Sequence, residues 1–248
     1  MRLAGATLAV SALAALATVG VTAGPPSATA AEESALDIGP PTRWQAWVGR
    51  VVAPVVARRA PRSSARAITR LRPRAPFAGG GTTLLITRTS RVKGRRWAEV
   101  LLPIRPNGRR GWVPLDVLRA RPEFSRLIVD VGARRLILLR GGRRVLSAAV
   151  AVGKPSTPTP VGRHFAVAEE IRTGSPGAFL GPVVFALTGY SEALNSFDGG
   201  NGRVAIHGTS LPGLLGGRVS HGCVRVSNPH ILRIARAVGP GTPVEIRV

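Results

Sequence analysis

The sequence contains few cysteine, acidic and aromatic residues, and each shortage excludes a class of protein. Its 248 residues include one cysteine, Cys223, which rules out a disulfide within the chain and every CxxC-type metal or redox motif. Only 12 residues are acidic, and those of the second half form no obvious pair of the kind that a glycosidase uses. Aromatic residues make up 4%, whereas glycine (30) and proline (21) are abundant, which favours many turns and short elements over a helical bundle.

The first 30 residues have the pattern of a secretory signal peptide. Met1 and Arg2 precede an apolar run of small residues, and Ala28-Thr29-Ala30 forms a small-x-small cleavage site. We expect cleavage after Ala30 or after Ala23; the alternative is an uncleaved anchor helix, because the run is long enough to cross a bilayer. The prediction is an exported protein of the cell wall or extracytoplasmic space, which contacts the membrane only through this segment if it stays uncleaved.

Basic residues outnumber acidic ones by a wide margin. Lysine and arginine total 35, the formal net charge is +23, and only Lys93 and Lys154 are lysines. Such a charge is typical of nucleic-acid-binding proteins, but an exported protein meets anionic wall polymers and lipid head groups instead. We therefore predict no nucleic acid partner, and we interpret the charge as a solvated surface that attracts anions, wall polymers among them. The 44% hydrophobic content argues against a disordered polycation.

The first half of the mature chain is predicted to contain a linker and a small β module. Residues 31–57 are interpreted as a linker with one short amphipathic helix, limited by Pro54. Residues 58–119 contain β-rich runs separated by basic turns, at 83–86, 97–102 and 111–113. This stretch resembles the SH3-like modules of bacterial wall-associated proteins, which help to bind wall peptide or glycan. In the alternative interpretation, Trp97 and Trp112 are simply core residues of a small barrel.

Residues 125–248 are predicted to form a mainly β domain. Apolar runs of strand length occur at 127–131, 136–139, 145–152, 164–168, 182–187, 203–206 and 243–248. The first three runs are typical of an antiparallel meander, because short turns separate them. One helix is expected over 229–238, with Ser227 or Asn228 as its cap and Gly239 after its end.

The residues with the strongest chemical signal lie between the last strands. His207 is followed, 16 positions later, by the cysteine of the segment Ser220-His221-Gly222-Cys223-Val224-Arg225. A free cysteine is only slightly ionised near neutral pH, so a thiol nucleophile needs a base, which His207 can supply. Gly222 allows backbone amides to approach a substrate carbonyl and to stabilise an oxyanion. Two alternatives stay open, a buried structural cysteine and a zinc site of His207, His221 and Cys223.

These motifs resemble the L,D-transpeptidase catalytic domain, the YkuD-like family of bacterial wall enzymes. The resemblance includes Thr-Pro-Thr-Pro-Val-Gly-Arg at 157–163 and Gly-Thr-Pro-Val-Glu-Ile at 241–246. It covers about residues 125–248 and implies a β-sandwich with one short capped helix, preceded by the SH3-like module.

The same resemblance implies roles for individual residues. Cys223 is the acylated nucleophile, His207 donates and accepts protons, and the carbonyl of Gly208 orients the His207 ring. The backbone amides of the catalytic turn form the oxyanion site, contributed by His221, Gly222 and Cys223. Ser220 and Arg225 shape the loop or contact a substrate carboxylate. Tyr190 is placed in the lid segment before His207, where it is a candidate for substrate contact.

The implied reaction is acyl transfer on peptidoglycan stem peptides, without a metal or a cofactor. Cys223 would attack the third residue of a tetrapeptide stem and release D-alanine, and an amine of a neighbouring stem would take the acyl group. One alternative is an L,D-carboxypeptidase, in which water is the acceptor. Another is a catalytically weak wall-binding protein, in which the SH3-like half carries the function. The intact pair of His207 and Cys223 favours an enzyme.

Overall fold

Two β-sheets and one short helix make up the part of the chain that the structure describes. The computed structural model describes residues 38–196 and 199–248, and the residues from Ile38 onward form one compact unit. The predicted signal peptide, 1–30, and residues 31–37 of the predicted linker lie outside the described residues. Within the described ranges, no helix is long and apolar enough to cross a membrane.

The N-terminal sheet has seven strands in this described part, and all of its strand pairs are antiparallel. In chain order they are β1 (Ala46–Val51), β2 (Val55–Arg58), β3 (Ala67–Leu71), β4 (Thr83–Val92), β5 (Arg95–Leu101), β6 (Arg110–Pro114) and β7 (Leu118–Glu123). Across the sheet the order is β3-β2-β6-β5-β4-β1-β7. The β4–β5 hairpin turns at Lys93 and Gly94, which both have positive φ, as a two-residue type I′ turn requires. The strands predicted in β4, β5 and β6 are confirmed.

The prediction of a linker and short helix over 31–57 is wrong where the structure describes it. β1 is an inner strand between β4 and β7, and β2 follows it. Pro54 separates two strands and does not end a helix. The apolar residues that suggested a helix are largely valines, whose branched side chains favour strands. The neighbouring strands supply backbone partners on both sides of β1.

The N-terminal sheet also extends beyond the predicted module, 58–119. Along the chain its first strand is β1, at residues 46–51, and its last strand is β7, at residues 118–123. β7 pairs with β1 along its whole length. Only Phe124 separates β7 from the next strand, so no linker stands between the two sheets. Trp97 and Trp112 are both buried, as the core interpretation predicts, and the resemblance to SH3-like modules stays a prediction.

The C-terminal sheet has nine strands among the described residues and forms a β-sandwich, so the expected fold class is confirmed. In chain order they are β8 (Ser125–Asp130), β9 (Arg135–Arg140), β10 (Arg143–Gly153), β11 (Gly162–Arg172), β12 (Val183–Tyr190), β13 (Arg203–His207), β14 (Arg218–Ser220), β15 (Val224–Val226) and β16 (Pro243–Arg247). β10 and β11, each 11 residues long, belong to both layers. β10 pairs with β9 in one layer and β15 in the other, and β11 pairs with β16 and β12 in the same way. The predicted meander of β8, β9 and β10 is confirmed.

The expected helix is present and is shorter than predicted. α1 spans Asn228–Ile234 and buries Ile231 and Ile234 in the apolar core of the sandwich. Ser227 occupies the N-cap position, but its hydroxyl lies 2.7 Å from Nδ1 of His230 and makes no hydrogen bond to a helix amide. The helix is therefore stabilised by the burial of its apolar face and not by a side-chain cap.

The two sheets meet at an apolar contact and a buried carboxylate, both of which involve β11. Ala166 packs in a cluster with three side chains of the N-terminal sheet, Ala46, Leu85 and Leu101. Glu169 is 3% exposed, and its Oε2 accepts hydrogen bonds from the backbone N–H groups of Phe77 and Ala78, both at 2.9 Å. Its Oε1 lies 3.5 Å from Nη1 of Arg203. One carboxylate therefore holds a loop of the first sheet beside a cation of the second.

Replacement of Glu169 by alanine is expected to lower the free energy of unfolding by about 3 kcal/mol, because it leaves two backbone N–H groups without their acceptor and a largely buried guanidinium without its counter-charge. Asp116→Ala is the matched control, since Asp116 pairs with Arg95 on the surface, where an ion pair contributes about 0–1 kcal/mol. Urea unfolding of both variants measures the two effects. Equal losses in the two variants would contradict the buried role of Glu169.

Candidate active site

The parallel pairing of two short strands brings the predicted nucleophile and base together. β13 and β15 lie side by side, with Ile206 opposite Val224 and His207 opposite Arg225. Side chains alternate between the two faces of a strand, so His207 and Arg225 share one face. Cys223 directly precedes β15. His207 and Cys223 both line one cavity.

The cavity encloses about 450 Å³ of empty space, part of it open to solvent. Its walls come from the loop before β12, the segment after β12, β13 and the turn before β15. The lining residues are Phe179, Leu180, Ser191, Leu194, Gly202, Arg203, Val204, His207, Ser220, His221, Cys223 and Arg225. These described lining residues provide one thiol, two imidazole rings and two guanidinium groups, and none of them carries a carboxylate. The cavity is therefore suited to a ligand that carries carbonyl or anionic groups.

His207 is 2% exposed, and its ring is held in one orientation. Its Nδ1 lies 2.6 Å from the carbonyl oxygen of Gly208. Because a carbonyl only accepts, Nδ1 carries the proton and Nε2 is left as the acceptor. Burial lowers the pKa of His207 to about 4; the charge of Arg225 adds to this effect, and the backbone carbonyls of Gly208 and Leu180 oppose it. At neutral pH His207 is therefore an uncharged imidazole that can accept a proton.

Cys223 is partly buried, and its thiol is protonated in the resting site. Burial raises the pKa of the Cys223 thiol, although a backbone hydrogen bond from Ala205 and the charge of Arg225 act in the opposite direction. The site thus combines a neutral thiol with a neutral imidazole. The thiol becomes a nucleophile when its proton moves to the imidazole. As for the zinc alternative, the described part of the chain contains no group of three or more His, Cys, Asp or Glu side chains arranged to hold a metal ion.

Asn228, at the start of α1, holds the backbone next to His207. Its Oδ1 accepts a hydrogen bond from the N–H of Thr209 at 2.9 Å, and its Nδ2 donates to the carbonyl oxygen of Pro176 at 2.9 Å. A Cβ on Gly208 would lie 2.3 Å from Asn228 Oδ1, so only glycine allows this close approach. From the sequence Asn228 is expected only as a helix cap, because a motif does not reveal which loop a polar side chain contacts.

Ser220 closes the turn that carries Cys223. Its buried hydroxyl donates a hydrogen bond to the carbonyl oxygen of Cys223 at 2.6 Å and accepts one from the N–H of Gly222 at 3.1 Å. Gly222 has a φ of +117°, a conformation that glycine adopts far more readily than other residues. Ser220 therefore shapes the loop, one of its two expected roles. The expected use of the Gly222 amide as an oxyanion donor is not what the structure shows, because Ser220 engages that N–H.

The proline-rich stretch between β10 and β11 supports the same turn. The N–H of Lys154 donates to the carbonyl oxygen of Ser220 at 3.0 Å, and the hydroxyl of Thr157 donates to the same oxygen at 3.3 Å. The ammonium of Lys154 lies 3.4 Å from Nε2 of His221, and because an ammonium only donates, Nε2 is the acceptor. No motif marks Lys154 as a site residue, since only the fold brings it to the turn that carries Cys223.

Arg225 lies in the wall of the cavity and is 8% exposed. Its Cζ is 4.7 Å from the centre of the Phe179 ring, a distance at which the ring stabilises the cation. Its Nε has no hydrogen-bond partner among the described residues. Arg225 therefore places a buried positive charge in the wall of the cavity.

The lid position expected for Tyr190 is not what the structure shows. Tyr190 ends β12, is buried, and is not among the described residues that line the cavity. Its hydroxyl donates a hydrogen bond to the carbonyl oxygen of Pro103 at 2.6 Å and accepts one from Nη2 of Arg203 at 2.8 Å. Tyr190 therefore connects the two sheets, and its nearness to the cavity in sequence does not place its ring in it.

The part of the chain that forms the C-terminal sheet is similar to known proteins. Residues 125–246 match the family model of the L,D-transpeptidase catalytic domain, YkuD. The chain is 31% identical over 120 residues to the YkuD protein of Bacillus subtilis (strain 168), and 33% identical over 121 residues to that of Bacillus licheniformis. The matches cover 48% and 49% of this chain and 64% of each relative. The chain therefore spans just under two thirds of the length of these relatives.

Solved structures of L,D-transpeptidases are also similar over part of the chain. The catalytic domain of the E. faecium L,D-transpeptidase is 25% identical to this chain. The match covers 50% of this chain and 97% of the E. faecium domain, with a TM-score of 0.36. L,D-transpeptidase 3 from Mycobacterium tuberculosis, in complex with a faropenem-derived adduct, is 18% identical to this chain. The match covers 56% of this chain and 73% of the M. tuberculosis protein, with a TM-score of 0.40. Residues 125–246 of this chain are therefore similar to the L,D-transpeptidase catalytic domains of the YkuD family.

Proposed function

We propose that this chain is an exported cysteine acyltransferase, an L,D-transpeptidase that acts on peptidoglycan stem peptides. The observation that carries the proposal is the placement of His207 and Cys223 in one cavity, inside the region that matches the L,D-transpeptidase family. Acyl transfer by a thiol needs a nucleophile, a base and donors for an oxyanion. The cavity offers a candidate for each of the three.

In the first half of the reaction, Cys223 becomes acylated. The thiol proton passes to Nε2 of His207 while Sγ forms a bond to the carbonyl carbon of the third residue of a tetrapeptide stem. The carbonyl oxygen becomes an oxyanion, to which the N–H groups of His221 and Cys223 donate. When the oxyanion collapses, the C–N bond breaks, and the imidazolium of His207 gives its proton to the departing amine of D-alanine. A thioester on Cys223 remains.

In the second half, an amine of a neighbouring stem attacks the thioester carbonyl. His207 takes a proton from this amine, a new amide bond forms, and the C–S bond breaks. The leaving thiolate of Cys223 then receives the proton from His207, which restores the neutral pair. The product is a cross-link between two stems. Water in place of the amine would give a carboxylate and make the same site an L,D-carboxypeptidase.

Arg225 supports a stem peptide as the substrate class. Stem peptides carry free carboxylates, and a buried guanidinium with an unpartnered Nε gains most from such a group. We place the reaction outside the cell on the basis of the signal-peptide pattern. The net charge of +23 favours retention of the protein by anionic wall polymers.

The first prediction concerns the identity of the nucleophile. Incubation of the purified protein with a carbapenem is expected to add the mass of one carbapenem molecule, because the strained lactam acylates Cys223. Intact-mass spectrometry measures the adduct. Cys223→Ala is expected to show none, and His207→Ala is expected to acylate about 10²–10⁴-fold more slowly, the range that general-base catalysis contributes. An equal adduct on Cys223→Ala, or none on the unaltered protein, would overturn the proposed nucleophile and favour the wall-binding alternative.

The second prediction concerns pH. Because His207 has a depressed pKa of about 4, it stays neutral until the pH falls close to that value, so the base form persists at mildly acidic pH. The rate of carbapenem acylation is therefore expected to be nearly constant from about pH 5.5 to 8 and to fall below about pH 5.

The matched control for this profile is His207→Ala, which lacks the base. Its acylation rate is expected to rise about tenfold per pH unit, since only the small thiolate fraction reacts. A fall of the unaltered protein's rate centred on about pH 6.5, the ordinary value for histidine, would show that burial does not lower the pKa of His207.

The third prediction concerns the acceptor. Incubation with a disaccharide-tetrapeptide is expected to release D-alanine and to accumulate a cross-linked dimer, because the acceptor amine attacks the thioester. Chromatography with mass detection separates the dimer from the tripeptide product. Tripeptide without dimer would identify the protein as a carboxypeptidase, and release of neither product by an enzyme that still forms the carbapenem adduct would exclude this stem as the donor.

A further inference from the structure

The loop between β5 and β6, residues 102–109, reaches from the N-terminal sheet to the cavity of the C-terminal sheet. The guanidinium of Arg105 donates hydrogen bonds to three backbone carbonyl oxygens there. Nη1 donates to Ser191 at 2.8 Å, and Nη2 donates to Leu194 at 3.0 Å and to Asn201 at 3.4 Å. Ser191 and Leu194 line the cavity, as does Gly202, which follows Asn201. We call Ser191, Leu194, Gly202 and Arg203 the pocket wall.

Asn107 of the same loop binds the residue that precedes the pocket wall. Its Nδ2 donates to the carbonyl oxygen of Tyr190 at 2.9 Å, and its Oδ1 accepts from the N–H of Tyr190 at 2.8 Å. The side-chain amide thus pairs with the end of β12 in the way that a neighbouring strand would. The guanidinium of Arg105 also lies 4.8 Å from the centre of the Tyr190 ring, within the range of a cation–π contact.

Three residues of the pocket wall, Ser191, Leu194 and Gly202, lie between strands, where the contacts with Arg105 add to the hydrogen bond from the N–H of Ser191 to the carbonyl oxygen of Gly202 at 2.8 Å. β12 ends at Tyr190 and β13 begins at Arg203, so the carbonyl groups of Ser191 and Leu194 point away from any ladder partner and toward Arg105. Gly202 shows how closely the groups converge. A Cβ on Gly202 would lie 2.4 Å from the carbonyl oxygen of Leu194 and 3.0 Å from Nη2 of Arg105.

Arg203, the last member of the pocket wall, is held by the same loop. Its Nη2 donates to the carbonyl oxygen of Pro103 at 3.2 Å and to the hydroxyl of Tyr190 at 2.8 Å. The loop therefore contacts the pocket wall both just after β12 and at the start of β13. The nucleophile and the base have other supports, since Ser220 holds the Cys223 turn and Gly208 holds the His207 ring.

We propose that Arg105, with Asn107, is a positioning residue that holds the pocket wall, so that the N-terminal sheet sets how tightly the cavity binds its substrate. The proposal rests on the proposed function in so far as it treats the cavity as the substrate site. It separates two properties of the enzyme. The loop governs recognition by the pocket wall, whereas the reactivity of Cys223 is independent of the loop.

The experiment compares Arg105→Ala and Arg105→Lys with Arg109→Ala. Arg109 belongs to the same loop and forms no side-chain hydrogen bond or ion pair among the described residues, so its loss controls for charge. Three measurements are made on the full chain: amide hydrogen exchange of residues 190–196, saturation kinetics of carbapenem acylation, and the alkylation rate of Cys223 by iodoacetamide. Iodoacetamide is too small to need the pocket wall, so it reports on the thiol alone.

For Arg105→Ala we expect faster exchange in residues 190–196 and a carbapenem concentration at half-maximal acylation rate that rises about three- to tenfold. The maximal acylation rate and the iodoacetamide rate are expected to change by less than about twofold, because neither requires the pocket wall. Arg105→Lys is expected to resemble Arg105→Ala, since an ammonium lacks the planar fork that reaches three carbonyl groups. Arg109→Ala is expected to match the unaltered protein.

Three outcomes would overturn the proposal. Unchanged exchange and unchanged half-saturation in Arg105→Ala would show that the pocket wall does not need Arg105. A parallel fall of the iodoacetamide rate would show a general loss of structure, and full rescue by lysine would show that charge alone suffices. The exchange and alkylation measurements do not need stem-peptide turnover, so failure of the proposed function would be recognised separately, by the absence of products from the tetrapeptide.

Discussion

The parallel pairing of β13 with β15 is the contact on which the candidate site depends. Parallel neighbours cannot be joined by a tight hairpin, so the chain must leave the sheet after the first strand and return to the same end. Residues 208–223 make this connection, and the 16 positions between His207 and Cys223 are its length. On the way the connection adds β14, which pairs with β10. The spacing of the motif thus reflects the length of chain that two side chains need in order to line one cavity.

Burial of this pair decides how the thiol can react. The same low-dielectric surroundings lower the pKa of His207 and raise that of Cys223, so the proton stays on sulfur in the resting site. Arg225 acts on both groups, because its charge disfavours the imidazolium and favours the thiolate. A thiol is oxidised less readily than a thiolate. A neutral resting state therefore protects the thiol of Cys223, the lone cysteine of the chain, from oxidation.

Local patterns were enough to predict the strands of the sandwich and the meeting of His207 with Cys223, whereas contacts between distant segments were not predictable. The apolar residues in and after β1 have a spacing that fits a helix, although their valines favour strands, and only the partner strands decide between the two. The engagement of the Gly222 amide by Ser220 was hidden because a motif specifies residues and not hydrogen bonds. Arg105 is one of 33 arginines, and its partners are backbone carbonyl groups at least 86 positions away. Nothing in the sequence distinguishes it.

The high arginine content therefore includes two physically different groups of side chains. Most arginines are exposed cations, whose attraction for anions acts at long range and is screened by salt. Arg105, Arg203 and Arg225 instead act at contact distance, against backbone carbonyls or aromatic rings. A guanidinium is more weakly hydrated than an ammonium and donates in several directions at once, so it can make such contacts at a lower desolvation cost. In this chain the links between the N-terminal sheet and the cavity follow from where Arg105 and Arg203 lie, and they would persist at a salt concentration that removes the effect of the net charge.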